Sequence, residues 1–580
     1  MHKVINKSEK AKNAEESFKK KMNRQAILSF GVCVHCGMCT ESCHYYLATK
    51  DPKMAPAYKA DRVRKLYKKY FDWTGRLLPK WVGGDEFNTD DDLTELMDIV
   101  YGSCTMCRRC SFNCPMGVDK ALLMRTGRAI LTEQGIAPQG IIDVSEDQWK
   151  IGNQMGISTD DFLETIEWLN DELKTELDDP SAEIPIDKPN CNIIYAVNPR
   201  EIKYAPMSLL AIAKIFHVAN ESWTMASKGW DNTNFGLFSG DNKLGAYMGN
   251  LVYDSVERLN GNMLVTSECG HGYRATAWES PNWAARDLNF RIYNVLEIIT
   301  DYVKSGRIKL DKSLNQFKVT YHDPCNLGRS GGITEEPRYL INRSVSDYRE
   351  MYPNRADNFC CTGGGGAMSM GEYSKRRLET AIVKADQLRA TGADIVATAC
   401  HNCVDGLTDL IKFYKLKMKV SLVGELVADA LVYQKMYKVP EIKPEEITQY
   451  KVLVIDDEPD VIMYLTALLE DNGYKTISAA TNEEALTQLD KEHPDLITLD
   501  LIMPGKSGLT FYHTLRTNAQ YKGIPVVIVS GVNPENPGQY DSRSFIYQHS
   551  LPRPEGYIEK PVNKELLLMT IEKILELKNK

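Results

Sequence analysis

No hydrophobic run in this sequence is long enough to cross a bilayer. The most apolar internal stretch, 207–216, is interrupted by Lys214 and falls far short of roughly 20 residues. An export signal is also missing, because Ala26, Ile27 and Leu28 are the only apolar run behind the lysine-rich start. These absences predict a cytoplasmic chain that is membrane-associated only through a partner subunit. Excess basic charge is absent too: 70 Lys and Arg stand against 78 Asp and Glu, so no nucleic-acid partner is expected. No G-x-G-x-x-G follows a recognisable strand, so no flavin is predicted. The glycine run 363–366 lacks the Lys-Ser/Thr of a phosphate-cradling loop.

What the chain does have is fifteen cysteines. In a reducing compartment these are thiols, which favours metal binding or catalysis over disulfides. The 580 residues also exceed one hydrophobic core and imply several domains.

Residues 1–25, rich in Lys, Glu and Asn, read as a flexible arm. A two-cluster region with a helical insertion is expected over 26–150. Within it the segment 59–70 packs basic residues around Val63, Leu66 and Tyr67. That pattern is a solvated amphipathic helix or a docking surface for an acidic or membrane partner. A helical connector spans 151–189. From about residue 190 short β-rich runs alternate with helices, the pattern of α/β units, and the text repeats itself. NIIYAVNP, ending at Pro199, resembles KVTYHDP, ending at Pro324, and NMLVTSECG resembles DIVATACHN. Two related α/β halves are therefore expected within 190–438. A Pro-, Lys- and Glu-rich linker at 439–448 precedes a last α/β module at 449–580.

Cys33, Cys36, Cys39 and Cys43 are spaced C-x2-C-x2-C-x3-C, and Cys104, Cys107, Cys110 and Cys114 repeat that spacing before Pro115. Three close thiolates wrap one cubane, and the fourth cysteine of each run reaches across to the other. One cubane would use Cys33, Cys36, Cys39 and Cys114; the second, Cys104, Cys107, Cys110 and Cys43. Structural zinc fits less well, since zinc prefers paired knuckles.

A second constellation comprises Cys325, the adjacent pair Cys360 and Cys361, then Cys400 and Cys403. Five thiols exceed the need of an ordinary cubane or zinc site. Cys400 and Cys403 follow a β-like run, at the strand end where α/β folds hold ligands. The glycine run after the pair lets backbone N–H groups approach closely.

These spacings resemble the CCG-domain signature of the heterodisulfide reductase catalytic subunit, and the first region resembles the ferredoxin-like part often fused to it. Glu268-Cys269-Gly270-His271 with one complete signature looks like the sulfite-reduction-linked DsrK-like proteins. The resemblance implies two 4Fe-4S cubanes, one noncubane 4Fe-4S cluster on Cys325, Cys360, Cys361, Cys400 and Cys403, and partner subunits such as a membrane cytochrome b or a flavoprotein. Two departures matter. Thr362 breaks the literal CCG triplet, and the first half has Arg200 where Cys325 would align. One noncubane cluster is expected, not two. Cys269, matching Cys400, and His271 are candidates to bind or protonate a sulfur substrate; the alternative is a buried cysteine with a structural histidine.

In the last module, apolar strands end in Asp456-Asp457-Glu458, Asp500, Ser530 and Lys560-Pro561. Three carboxylates can hold Mg²⁺, leaving Asp500 to accept a phosphoryl group contacted by Ser530 and Lys560. This resembles a response-regulator receiver domain, which implies a flavodoxin-like doubly wound sheet and a histidine kinase partner. The stretch 533–556 departs from it, long and rich in Pro and Gly, with little sign of the usual fourth helix. A receiver kept only for docking is the alternative.

The expected architecture is thus α/β and multidomain: a helical ferredoxin-like part, a duplicated CCG-type part and a receiver. The expected activity is that of an oxidoreductase subunit acting on a disulfide-like sulfur compound. A pure electron relay to quinone and a redox-sensing regulator are the rival readings.

Overall fold

Ala11, Ala14 and Phe18 sit three and four residues apart among the lysines of the N-terminal stretch, the spacing of one helical face. In the computed structural model Glu9–Lys21 is a helix capped by Ser8, and all three residues are buried. The expected arm is thereby corrected: from Glu9 on, this segment is part of the core, with Glu15 accepting from Phe87 N and pairing with Lys7. The structure describes residues 7–433, 450–501, 508–530, 554–560 and 562–578. It divides into two units, Met1–Tyr437 and Lys438–Lys580; the predicted linker 439–448 lies outside the described residues.

In the first unit the helix Pro56–Tyr70 lays Ala60, Val63 and Leu66 against the helix Lys120–Thr132. Gly127 leaves room for Val100 at the same contact, which a Cβ there would meet at 2.8 Å. The same core takes in Phe235, Leu237, Phe238 and Leu244 from far along the chain. The two-cluster region and the α/β part therefore share one apolar interior.

The α/β part contains two four-stranded parallel sheets. The strands are β1 (Ile193–Ala196), β2 (Trp223–Thr224), β3 (Met263–Thr266), β4 (Arg291–Asn294), β5 (Lys318–His322), β6 (Asp347–Arg349), β7 (Ile395–Thr398) and β8 (Lys419–Leu422). Their orders, β2-β1-β3-β4 and β6-β5-β7-β8, are the same permutation, so the two halves repeat in topology as well as in text. β1 and β7 are near-continuously apolar and buried, as strands covered on both faces are, and β5 is buried from Val319 on. The connector helix Thr159–Leu177 covers the first sheet through the helix Pro206–Val218.

The second unit has a parallel sheet of β9 (Lys451–Ile455), β10 (Lys475–Ala479), β11 (Leu496–Leu499), β12 (Val526–Ser530) and β13 (Gly556–Glu559), ordered β10-β9-β11-β12-β13. That 2-1-3-4-5 order is the flavodoxin-like doubly wound arrangement. The segment 533–553, with its expected missing helix, lies outside the described residues.

Candidate metal centres and acidic cup

The two CxxCxxC loops adopt the same backbone. His35 and Gly37 in the first, and Met106 and Arg108 in the second, all have positive φ at matching offsets. Left-handed residues coil a short loop around a point, which aims three sulfurs inward. One cavity is lined by Cys33, Cys36, Cys39 and Cys114, another by Cys43, Cys104, Cys107 and Cys110. Each loop therefore receives the fourth cysteine of the other, the grouping expected from the spacing.

A buried lysine accompanies each set. Lys120 Nζ lies 3.1 Å from Cys33 Sγ, and Lys59 Nζ lies 3.4 Å from Cys43 Sγ while donating to Ser103 O. Burial works against the Lys59 charge, but the Cys43, Cys104 and Cys110 sulfurs outweigh it and raise its pKa. Lys59 is thus not part of a solvated face, which corrects that reading of the basic helix at its first turn. His44 also lines the second cavity, with its buried Nε2 free of hydrogen-bond partners among the described residues.

The five-thiol site forms where strand ends converge. Cys325 follows β5, Cys400 follows β7, and the pair Cys360 and Cys361 lies on the connection after β6. Four of the five are buried and Cys325 is half-buried. Cys361 and Cys403 sulfurs are 3.1 Å apart, and Cys360, Cys361, Cys400 and Cys403 share one buried core. Hydrogen bonds from Cys269 and Cys403 push the Cys400 thiol well below its ordinary range, which favours a thiolate there. Gly363 passes so close to the next helix that a Cβ would meet Asn402 O at 2.3 Å, and Gly365, at φ +68°, faces Thr105 O.

The glycine run also brings this site against the second set of four cysteines, with Gly364 and Gly365 facing Thr105 O. Cys107 packs against the core that holds Cys360, and Thr105 Oγ1 lies 3.4 Å from Cys360 Sγ. Two arginines hold the junction, Arg128 fully buried and Arg329 half-buried. Arg128 donates to Val100 O, Cys104 O, Phe238 O and Gly365 O, and Arg329 donates to Cys107 O, Ala356 O and Asn358 O. Spacing and motif do not single out Lys59, Lys120, Arg128 or Arg329. Their targets are distant backbone carbonyls and thiols, which no local pattern reveals.

Cys269, at the end of β3, reaches Cys400 across the two halves. It is fully buried, bonded to Asn198 Nδ2 and Gly272 N. His271 does not share these bonds: its Nε2 donates to Asn234 O at 2.7 Å and its ring stacks on Phe238. Burial lowers the His271 pKa to about 4, so the ring is neutral at ordinary pH. Arg200, aligned with Cys325, pairs instead with Asp405 on the helix His401–Phe413.

In the second unit Asp456, Asp457 and Asp500 place carboxylate oxygens within 4.8 Å of one another. Lys560 Nζ meets Asp500 Oδ2 at 2.5 Å and Asp456 Oδ2 at 2.8 Å, and Ser530 Oγ donates to Asp500 Oδ1 at 2.6 Å. Burial raises the pKa of Asp456 and of Asp457, a cost that a divalent cation would remove.

Comparison with known proteins agrees with this anatomy. Residues 29–118 match the 4Fe-4S dicluster domain, 319–407 the cysteine-rich domain and 452–572 the response regulator receiver domain. The chain is 27% identical over 480 residues to an Hdr-like menaquinol oxidoreductase iron-sulfur subunit 2 of Archaeoglobus fulgidus, covering 73% of this chain and 85% of that one. It is 27% identical over 425 residues to one subunit of the dihydromethanophenazine:CoB–CoM heterodisulfide reductase of Methanosarcina mazei, covering 71% and 96%. The receiver part is 30% identical to protein PilH of Pseudomonas aeruginosa, covering 22% of this chain and 97% of PilH. Among the described residues no helix is long and apolar enough to cross a membrane.

Proposed function

We propose that this chain, a homologue of heterodisulfide-reductase-like iron–sulfur subunits carrying a response-regulator receiver domain, relays electrons between a partner subunit and the buried five-thiol site. There a disulfide-like sulfur compound is reduced or formed. The observation that carries this reading is the packing of Cys107, from the second set of four cysteines, against the buried core that holds Cys360 of the five-thiol site. It supports one continuous path.

The donor sets fit iron–sulfur groups. Each of the two cavities offers four cysteines, and three unpartnered buried polar atoms adjoin the thiols: His44 Nε2, His322 Nε2 and Thr362 Oγ1. Cys33, Cys36, Cys39 and Cys114 would hold one 4Fe-4S cubane, Cys43, Cys104, Cys107 and Cys110 the second. Cys325, Cys360, Cys361, Cys400 and Cys403 would hold the noncubane group. Bound clusters supply one-electron steps to a thiol–disulfide conversion that needs two. Around them, Lys59 and Lys120 offset negative charge, and Arg128 and Arg329 keep the two loops together.

Entry is set by exposure. Cys36 is exposed, with Val34 64% and Met38 58% exposed beside it, while the five-thiol site is interior. A partner such as a membrane cytochrome b or a flavoprotein would dock at that face. Cys269 is placed to meet a sulfur substrate next to Cys400. Its full burial favours the second reading, a relay whose terminal site serves a partner. In the receiver unit Asp456, Asp457 and Asp500 would hold Mg²⁺ and Asp500 would accept the phosphoryl group.

Anaerobic iron analysis of the full chain should find about twelve iron atoms, four per cluster. Cys360→Ser should remove the third site's spectroscopic signal and spare the cubane signals; stoichiometric zinc, or an unchanged third signal, would end the proposal. Cys269→Ala should keep all clusters and lose reaction with disulfides, whereas unchanged turnover would return Cys269 to a packing role.

A further inference from the structure

His322 ends β5, three residues before Cys325, and is 1% exposed. A ring nitrogen of His322 lies within 4.8 Å of both the Cys361 and Cys403 sulfurs. The Nδ1 edge of the ring is held by Asn358, whose Nδ2 lies 3.2 Å from it.

The orientation of that amide follows from its neighbours. Asn358 Oδ1 accepts from Lys384 Nζ at 2.7 Å and from Gln387 Nε2 at 3.1 Å. Burial lowers the Lys384 pKa to about 7, so its charge does not fix the amide; Gln387 Nε2 can only donate, and the end of Asn358 that it meets must be the oxygen. Gln387 is itself oriented, because its Oε1 accepts from Lys384 and its Nε2 donates to Pro353 O. On the far side Asn358 Nδ2 donates to Asp323 O at 3.2 Å, and a carbonyl can only accept. Two independent neighbours thus set the same flip. Asn358 presents N–H to His322 Nδ1, which must be the bare, accepting nitrogen.

A neutral imidazole with a bare Nδ1 carries its proton on Nε2. That nitrogen has no hydrogen-bond partner among the described residues. Protonating Nδ1 instead would set two N–H groups against each other at 3.2 Å. A protonated Nε2 cannot ligate iron, so the ring is a donor and not a sixth ligand.

We propose that His322 is a positioning residue of the five-thiol site, held by the Gln387–Asn358 chain in the tautomer whose Nε2–H donates to a sulfur of that site. The inference rests on the reading of the five thiols as a cluster site. Hydrogen bonds to cluster sulfur favour the more negative, reduced state and so raise the reduction potential.

The test uses the full chain, purified anaerobically, with EPR-monitored redox titration and ENDOR of the third site's signal. The wild-type signal should couple to an exchangeable proton and show no strongly coupled ¹⁴N. His322→Leu should keep the signal, lose the exchangeable coupling and shift the midpoint potential downward. His322→Gln, which retains an N–H donor, should recover the potential at least in part. Asn358→Leu, which frees the tautomer, should weaken the exchangeable coupling without touching His322. Strong ¹⁴N coupling that disappears in His322→Leu would make the ring a ligand and overturn the proposal. An unchanged potential and coupling in a fully loaded His322→Leu would overturn it equally. If His322→Leu loses the cluster, His322→Gln and Asn358→Leu decide by the same readouts. A wild-type chain without any third-site signal would sink the cluster reading, and the inference with it, whereas a normal Cys360→Ser result with an unresponsive His322→Leu would sink the inference alone.

Discussion

Thr362 shows at residue scale why a glycine is the expected neighbour of the cysteine pair. Its φ is +68°, in the left-handed region that disfavours a β-branched residue. The broken CCG triplet therefore keeps its backbone and stores strain. Its hydroxyl is buried without a partner among the described residues. Thr362→Gly should stabilise the chain by about 1 kcal/mol through relief of that strain, read as a rise in denaturation midpoint; a fall would mean that the hydroxyl contributes more than the strain costs. Lys59 gives a second expectation. Removing a buried cation beside Cys43, Cys104 and Cys110 disfavours added negative charge, so Lys59→Met should lower the second cubane's midpoint potential and leave the first unchanged in redox titration. Equal shifts at both cubanes would argue for a general structural effect instead.

Among the elements, the helix Glu9–Lys21 was hidden by its composition. Lysines on the outer face masked an apolar stripe of two alanines and one phenylalanine, too small to register as periodicity until its partners were in place. Phe18 packs edge-on against Phe30 and Phe71. Phe18→Ala should cost about 3–4 kcal/mol, as truncating a buried aromatic does, measured by chemical denaturation of the full chain. A loss below about 1 kcal/mol would restore the loose-arm reading. The strand ends were legible for the opposite reason. Short buried parallel strands are continuous apolar words, and the residues that follow them, Cys325, Cys400 and Asp500, stand out against that background.

Across the whole molecule, the two-cluster region and the α/β part act as one body because Arg128 and Arg329 bind carbonyls on both sides of the junction where Cys107 packs against the core that holds Cys360. Arg128→Ala strands four buried carbonyls and should destabilise the chain by about 3 kcal/mol or more. It should also slow electron transfer from the cubanes to the five-thiol site while iron content holds, as followed by stopped-flow reduction. Unaltered transfer would show that Arg329 alone holds the junction. In the receiver unit a small phosphodonor with Mg²⁺ should label the chain, and Asp500→Asn should abolish labelling because an amide cannot form the acyl phosphate. An unlabelled wild type would leave the receiver as a docking module.

The sequence by itself grouped the eight N-terminal thiols, since C-x2-C-x2-C-x3-C written twice specifies which of them curl around one point, and the cavities are lined by the same two groups. It determined the repeated halves and the acidic cup as well, because strand ends are local features. Only the tertiary structure decided that Cys107 packs against the core that holds Cys360, that Cys269 meets Cys400 while His271 turns to Asn234, and that Gln387 orients Asn358 against His322. Each of these joins residues from separate elements. Hydrogen-bond direction and burial exist only once the chain has closed around them, so spacing along the chain carries no trace of either.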